Sequence, residues 1–114
     1  MTMTPETFRV IREGLGLSQY EMSQRLAVQQ RTVQRWEAGD TPVPPGIVAE
    51  LDQLRQLAAD EVSENIKLFG GDDPKPPPML AIEPGERAGW QRAIAWRTLL
   101  EVPGLRIERL PADD

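Results

Sequence analysis

Ser18-Gln19-Tyr20-Glu21-Met22-Ser23-Gln24-Arg25-Leu26-Ala27-Val28-Gln29-Gln30-Arg31-Thr32-Val33-Gln34-Arg35-Trp36-Glu37-Ala38-Gly39 is the stretch whose reading decides the fold. It opens on a capping box, with Ser18 at the N-cap and Glu21 three residues on, so a helix starts here. Met22 and Leu26 then mark an apolar stripe at helical spacing. Ala27-Val28-Gln29 interrupts the pattern. A further helix is predicted from about Gln30 to Ala38, with Val33 and Trp36 three apart on its inner side and Gly39 as its stop.

Working outward, Thr4-Pro5-Glu6-Thr7 supplies an N-cap, a first-turn proline and an acid near the positive end of a first helix. Phe8, Ile11 and Leu15 carry its apolar side, and Gly14 and Gly16 close it. Downstream, Pro44-Pro45 sets another helix start. The stripe Ile47, Val48, Leu51, Leu54, Ala58, Val62, Ile66, Phe69 exceeds the ~11–12 residues of an average helix, so it predicts two helices or one long projecting helix. Gly70-Gly71-Asp72-Asp73-Pro74-Lys75-Pro76-Pro77-Pro78 ends this half. Two glycines followed by four prolines in five residues cannot sit inside a packed element and read as a semi-extended spacer. The expected domains are therefore 1–69 and 79–114, joined by a linker over 70–78.

The second part is shorter and mixed. Met79–Ile82 is a short extended segment. Glu86 to Leu100 reads as a helix with Trp90, Ala93, Ile94, Arg97 and Leu100 on one side, and Pro103-Gly104 stops it. Leu105, Ile107 and Leu110 alternate with polar residues as in a terminal strand. The expected fold class is mainly α: a five-helix domain, then a small α+β unit. Thirty-six residues alone hardly bury a core, since chains below ~40 residues usually need staples or association. With no cysteine to staple it, pairing with a second copy is the physically cheap answer, through Trp90, Ile94, Trp96, Leu100 and Ile107.

Composition narrows the chemistry. The 114 residues contain no cysteine and no histidine. Disulfides, thiol nucleophiles, imidazole catalysis and most zinc chemistry are excluded, and no metal or cofactor is called for. Only carboxylates could move protons, and none pairs convincingly, so an enzyme is not expected. Asp72-Asp73 lacks a third ligand, Gly70-Gly71 lacks the Lys and Ser/Thr of a phosphate loop, and the acids at 60, 61 and 64 read as a wet helix face. No apolar run reaches the ~18–20 residues of a membrane span, and the start at Met1-Thr2-Met3-Thr4-Pro5 lacks a basic-then-apolar signal, so the expected location is the cytoplasm. The net charge is −5. Between Arg25 and Arg35, however, there are three arginines and no acid.

Two short helices joined by a tight turn form the helix-turn-helix geometry, whose second helix enters the major groove of DNA. With Val33 and Trp36 inward, Gln30, Arg31, Gln34 and Arg35 point outward. Arginine reads guanine and glutamine reads adenine, so these are the side chains groove recognition requires. Gln29 in the turn and Thr32 on the helix complete the candidate DNA-binding set. Gln19 opens the preceding helix, where an amide can meet a phosphate. The same pattern also describes the solvated face of any amphipathic helix.

Ile11-Arg12-Glu13-Gly14-Leu15-Gly16-Leu17-Ser18-Gln19, Met22…Leu26-Ala27-Val28 and Val33-Gln34-Arg35-Trp36-Glu37-Ala38-Gly39 together resemble the Cro/cI (Xre-type) repressor family over residues 5–57. The resemblance implies that Gln19 contacts phosphate and that Gln30, Arg31 and Arg35 read bases and backbone. It also implies a structural ion pair between Arg12 and Glu37. Many relatives carry glycine where this chain has Ala27, and alanine fits that turn only if φ stays negative or strain is tolerated. Gly89-Trp90-Gln91…Ala95-Trp96-Arg97…Glu101 and the terminal Ile-Glu-Arg-Leu (107–110) look like the C-terminal part of small two-part, phage-related Xre regulators, a group that includes anti-CRISPR-associated repressors. That group's C-terminal part dimerises, and the dimer binds an inverted repeat in its own promoter. The expected function is thus a homodimeric, sequence-specific transcriptional repressor of its own operon. The alternative is an antitoxin whose C-terminal part and acidic helix neutralise a protein toxin, a partner other than a second copy.

Overall fold

Each helix of the first half starts at a residue the sequence marks. In a computed structural model, which describes residues 3–70, 79–85 and 87–111, α1 spans Pro5–Gly14, α2 Gln19–Leu26, α3 Gln30–Ala38 and α4 Pro45–Phe69. The Thr4 hydroxyl caps α1 by accepting from the Thr7 N–H at 3.1 Å. Ser18 and Glu21 form the reciprocal capping box of α2, at 3.0 and 2.9 Å. Along α1, Arg9 Nε donates to Glu13 at 2.6 Å, which holds the Glu13 carboxyl below, and the Arg9 guanidinium above, their ordinary values. Both side chains are exposed, so this pair contributes little; what it adds is present above the ordinary carboxylate range and lost as pH falls through the lowered value.

The chain forms two compact units, Met1–Gln56 and Leu57–Asp114. This places residues 57–69, assigned from sequence to the first domain, with the second. The Gly/Pro spacer over 70–78 lies, apart from Gly70, outside the described residues. The long stripe is one helix of 25 residues; among the described residues the fold is mainly helical, with α1–α4 before β1 and a fifth helix, α5, in the second unit.

In the first unit α1 and α2 both pack on α3. Phe8, Leu15, Leu17, Met22, Leu26, Val33, Trp36, Val43 and Leu51 are its buried apolar residues. Phe8 and Trp36 meet edge to face, ring centroids 5.6 Å apart, the orientation that sets a ring's positive edge on its neighbour's negative face.

In the second unit β1 (Met79–Ile82) and β2 (Arg106–Arg109) pair in parallel, with Leu80 beside Ile107 and Ile82 beside Arg109. Parallel neighbours need a crossover, and α5 (Ala88–Glu101) provides it. The buried side of α5 is Trp90, Ile94, Ala95 and Thr98. Leu100, expected on that side, is instead 59% exposed, because its position is half a turn from Thr98. Ala58 and Val62 of α4 are buried in the same unit, and Glu61 accepts the Trp90 indole N–H at 2.7 Å. Glu61 is therefore a structural acceptor and not part of a wet face. Asn65 donates to Thr98 Oγ1 at 3.4 Å, and that hydroxyl donates to the Ile94 carbonyl at 2.8 Å.

Three helix ends in the first unit share one closing device. Leu17 N–H reaches the Arg12 carbonyl, Val28 N–H that of Ser23, and Asp40 N–H that of Arg35. Each is the long bond of a Schellman motif, which requires a left-handed residue just before the donor. Those residues are Gly16 (φ 73°), Ala27 (φ 55°) and Gly39 (φ 80°). Ala27 alone carries a Cβ there, so the strain raised as a condition by the sequence is present, at about 1–2 kcal/mol for a left-handed non-glycine. Ala27 is exposed, and removing its methyl costs no packing. Ala27→Gly should raise the unfolding free energy by about 1 kcal/mol once the added freedom of the unfolded chain is subtracted. Urea titration should show a higher midpoint at unchanged slope.

Candidate nucleic-acid interface

The site is built on α3. Its inward residues, Val33 and Trp36, are buried, and Gln29, Gln30, Arg31, Gln34 and Arg35 are all exposed, with Thr32 half-buried. Seven residues named from the sequence as DNA-facing thus sit on α3, the turn before it, or the head of α2. Gln29 occupies the N-cap of α3 without capping it through its side chain. The first N–H groups of α3 consequently have no side-chain acceptor from the cap, at the end that carries partial positive charge.

Beneath this face lies an ion pair. Arg12 Nε donates to Glu37 Oε2 at 2.6 Å and Nη2 to Oε1 at 2.9 Å, a bidentate fork joining α1 to α3. Arg12 Nη1 donates to the Leu17 carbonyl at 2.9 Å, which fixes the α1–α2 connection. The Arg12 and Glu37 side chains are 10% and 6% exposed. Gln19 Nε2 also donates to Glu37 Oε1, at 3.4 Å. One carboxylate therefore positions both the arginine behind the face and the amide at the head of α2. This third contact had no local signal in the sequence, since Gln19 and Glu37 lie 18 residues apart and on different helices.

Charge is arranged in favour of an anionic ligand here. The run from Arg25 to Arg35 has no acid, and Glu37, the acid nearest in sequence, is matched by Arg12. In the second unit a cleft of about 360 Å³ is lined by Asp60, Glu61 and Glu64 together with Arg87 and neutral residues. Three carboxylates repel a phosphate backbone, so that cleft is no part of a DNA surface.

The residues named for dimerisation divide. Trp90 and Ile94 are buried inside their own unit, whereas Trp96, Leu100 and Ile107 are exposed. Trp90 and Ile94 are interior because α4 residues complete the core, a contribution the boundary assumed at residue 69 left out. They cannot form a contact surface directly.

Two short helices, a tight turn closed by Ala27, and an exposed Gln/Arg face on the second helix define a helix-turn-helix DNA-binding domain. Residues 6–64 match the family described as the helix-turn-helix domain, just over half the chain, and the protein belongs to that family. It is a DNA-binding regulator. No curated protein matches the chain. Among the described residues no helix is long and apolar enough to cross a membrane.

Removing one partner of a buried pair strands the other charge, at about 3–5 kcal/mol. Glu37→Ala should lower the unfolding free energy by about that much, measured by urea denaturation, and Glu37→Gln by less because two hydrogen-bonding atoms remain. A Glu37→Ala protein that unfolds like the parent yet no longer binds DNA would place Glu37 on the DNA-facing side instead.

Proposed function

We propose that the protein is a cytoplasmic, non-enzymatic transcriptional repressor of the Cro/cI (Xre) type that binds an inverted-repeat operator as a homodimer and represses its own operon. The observation that carries this reading is the face of α3: Gln30, Arg31, Gln34 and Arg35 exposed over a buried Val33 and Trp36. Gln30 and Arg31 stand at the N-terminal end of α3, the end that reaches deepest into a major groove. Gln19 serves as a phosphate contact, held by Glu37. The resemblance of the C-terminal part to small two-part, phage-related regulators supports an anti-CRISPR-associated type.

A repressor with net charge −5 gains little from long-range attraction to DNA, so a single copy with a few contacts binds weakly. Two copies presenting α3 to successive major grooves, about 34 Å apart, multiply two modest half-site affinities. Exposed Trp96, Leu100 and Ile107 provide the apolar surface for that association.

Footprinting on the upstream region of its own gene should reveal one protected inverted repeat with half-sites a helical turn or a multiple apart. Arg31→Ala and Arg35→Ala should each weaken operator binding by about 1–3 kcal/mol and relax specificity at one base if the arginine reads a base. A phosphate-contacting arginine would instead weaken binding evenly on all sequences and lower the salt slope by about one. Unchanged binding by both variants would remove α3 as the reader. Protection of no operator, with tight binding of a neighbouring gene's product, would favour an antitoxin.

A further inference from the structure

The two-stranded sheet stops at β2. Leu110 N–H donates to the Ile82 carbonyl at 2.8 Å. Backbone groups alternate sides along a strand, so positions 106, 108 and 110 turn theirs toward β1 and positions 107 and 109 toward the outer edge. Among the described residues no third strand takes that edge. Ile107 shares a sheet face with Leu80, its register partner, and with buried Ile82 and Leu105, yet is 38% exposed. The unpaired N–H and C=O groups of an open edge are a template for another strand, and Ile107 sets exposed apolar surface beside them.

We propose that the occupant is β2 of a second copy, antiparallel, with the two-fold axis at Ile107; this rests on the homodimer reading above. The register follows from the backbone and the charges. Outward groups must face outward groups, so 107 or 109 must lie opposite an odd-numbered residue of the other copy. Centring on Arg106 would set that arginine against its own copy, and centring on Glu108 would set two carboxylates together. Centring on Ile107 sets Ile107 against Ile107, with two backbone hydrogen bonds between them. It also sets Arg106 against the other copy's Glu108, twice by symmetry. These are non-hydrogen-bonded pairs, whose Cα atoms approach to about 4.5 Å. Within one chain Arg106 Nη2 and Glu108 Oε1 already meet at 2.8 Å on the sheet face opposite Ile107. The pair exchanges its partner across the axis. The strand joins two βαβ units into one four-stranded sheet, and Trp96 and Leu100, a turn apart on α5, add exposed apolar surface in the same unit.

The test uses full-length protein and two single variants, Arg106→Glu and Glu108→Arg. Each makes both cross-axis pairs like-charged, and both positions are exposed, so far-UV circular dichroism should be unchanged. By sedimentation velocity the parent should be a dimer. Each variant should dissociate about tenfold more readily, the effect of two opposed like-charge pairs. An equimolar mixture, with one variant fluorescently labelled, should recover parental dimerisation, because acids at 106 and 108 then face arginines in both pairs. An effect confined within one chain cannot produce that recovery. A dimeric parent whose variants dimerise equally well, or whose mixture shows no recovery, overturns the β2 pairing and leaves the homodimer reading standing. A monomeric parent removes both.

Discussion

The fork between Arg12 and Glu37 is the constraint on which the first unit depends. It ties α1 to α3 by two charge-assisted bonds, and the third arginine nitrogen ties both to the α1–α2 connection through the Leu17 carbonyl. Buried charges are costly unless matched with good geometry, and here the bidentate fork satisfies both partners. Rotation of α3 about its axis would break the fork and expose Trp36 together. The exposed Gln/Arg face is thereby held at one angle relative to α2. A helix that reads base edges needs that fixed angle, because a small rotation moves every side-chain tip by more than a hydrogen-bond length.

Helix endings fix the other degrees of freedom. Gly16, Ala27 and Gly39 each reverse the chain through a left-handed residue, so the connections are as short as a helix allows. Short connections leave α1, α2 and α3 little freedom except in their packing. The strained alanine falls in the turn between α2 and α3, and the stability it costs is borne by the core around Phe8, Met22, Val33 and Trp36.

The second unit solves a different problem. A parallel strand pair with one crossover helix buries only one face of its sheet and leaves an edge. Trp90 secures the interior by placing its indole among apolar neighbours while its N–H meets Glu61, which satisfies the one polar atom that burial would otherwise strand. What remains outside, at Trp96, Leu100 and Ile107, is apolar surface that the fold itself does not use.

Local signals determined the first unit. The capping box at Ser18, the proline at Pro5, the stops at Gly16 and Gly39 and the spacing of Val33 and Trp36 act over a few residues, so α1, α2 and α3 and the outward set Gln30, Arg31, Gln34 and Arg35 were legible without coordinates. The Arg12–Glu37 pair came from a resemblance carried by those same motifs. Tertiary structure alone decided that the stripe after Pro45 is a single helix whose second half belongs to the second unit. Periodicity continues unbroken across residue 56, and only packing partners distinguish one side from the other. That decision placed Trp90 and Ile94 in an interior and turned Glu61 from a solvated acid into a hydrogen-bond acceptor. It also determined the strand direction of β1 and β2, since alternation of side chains is the same in parallel and antiparallel pairs. Sequence patterns record which side of an element is apolar; which neighbour covers it depends on contacts between residues far apart in the chain.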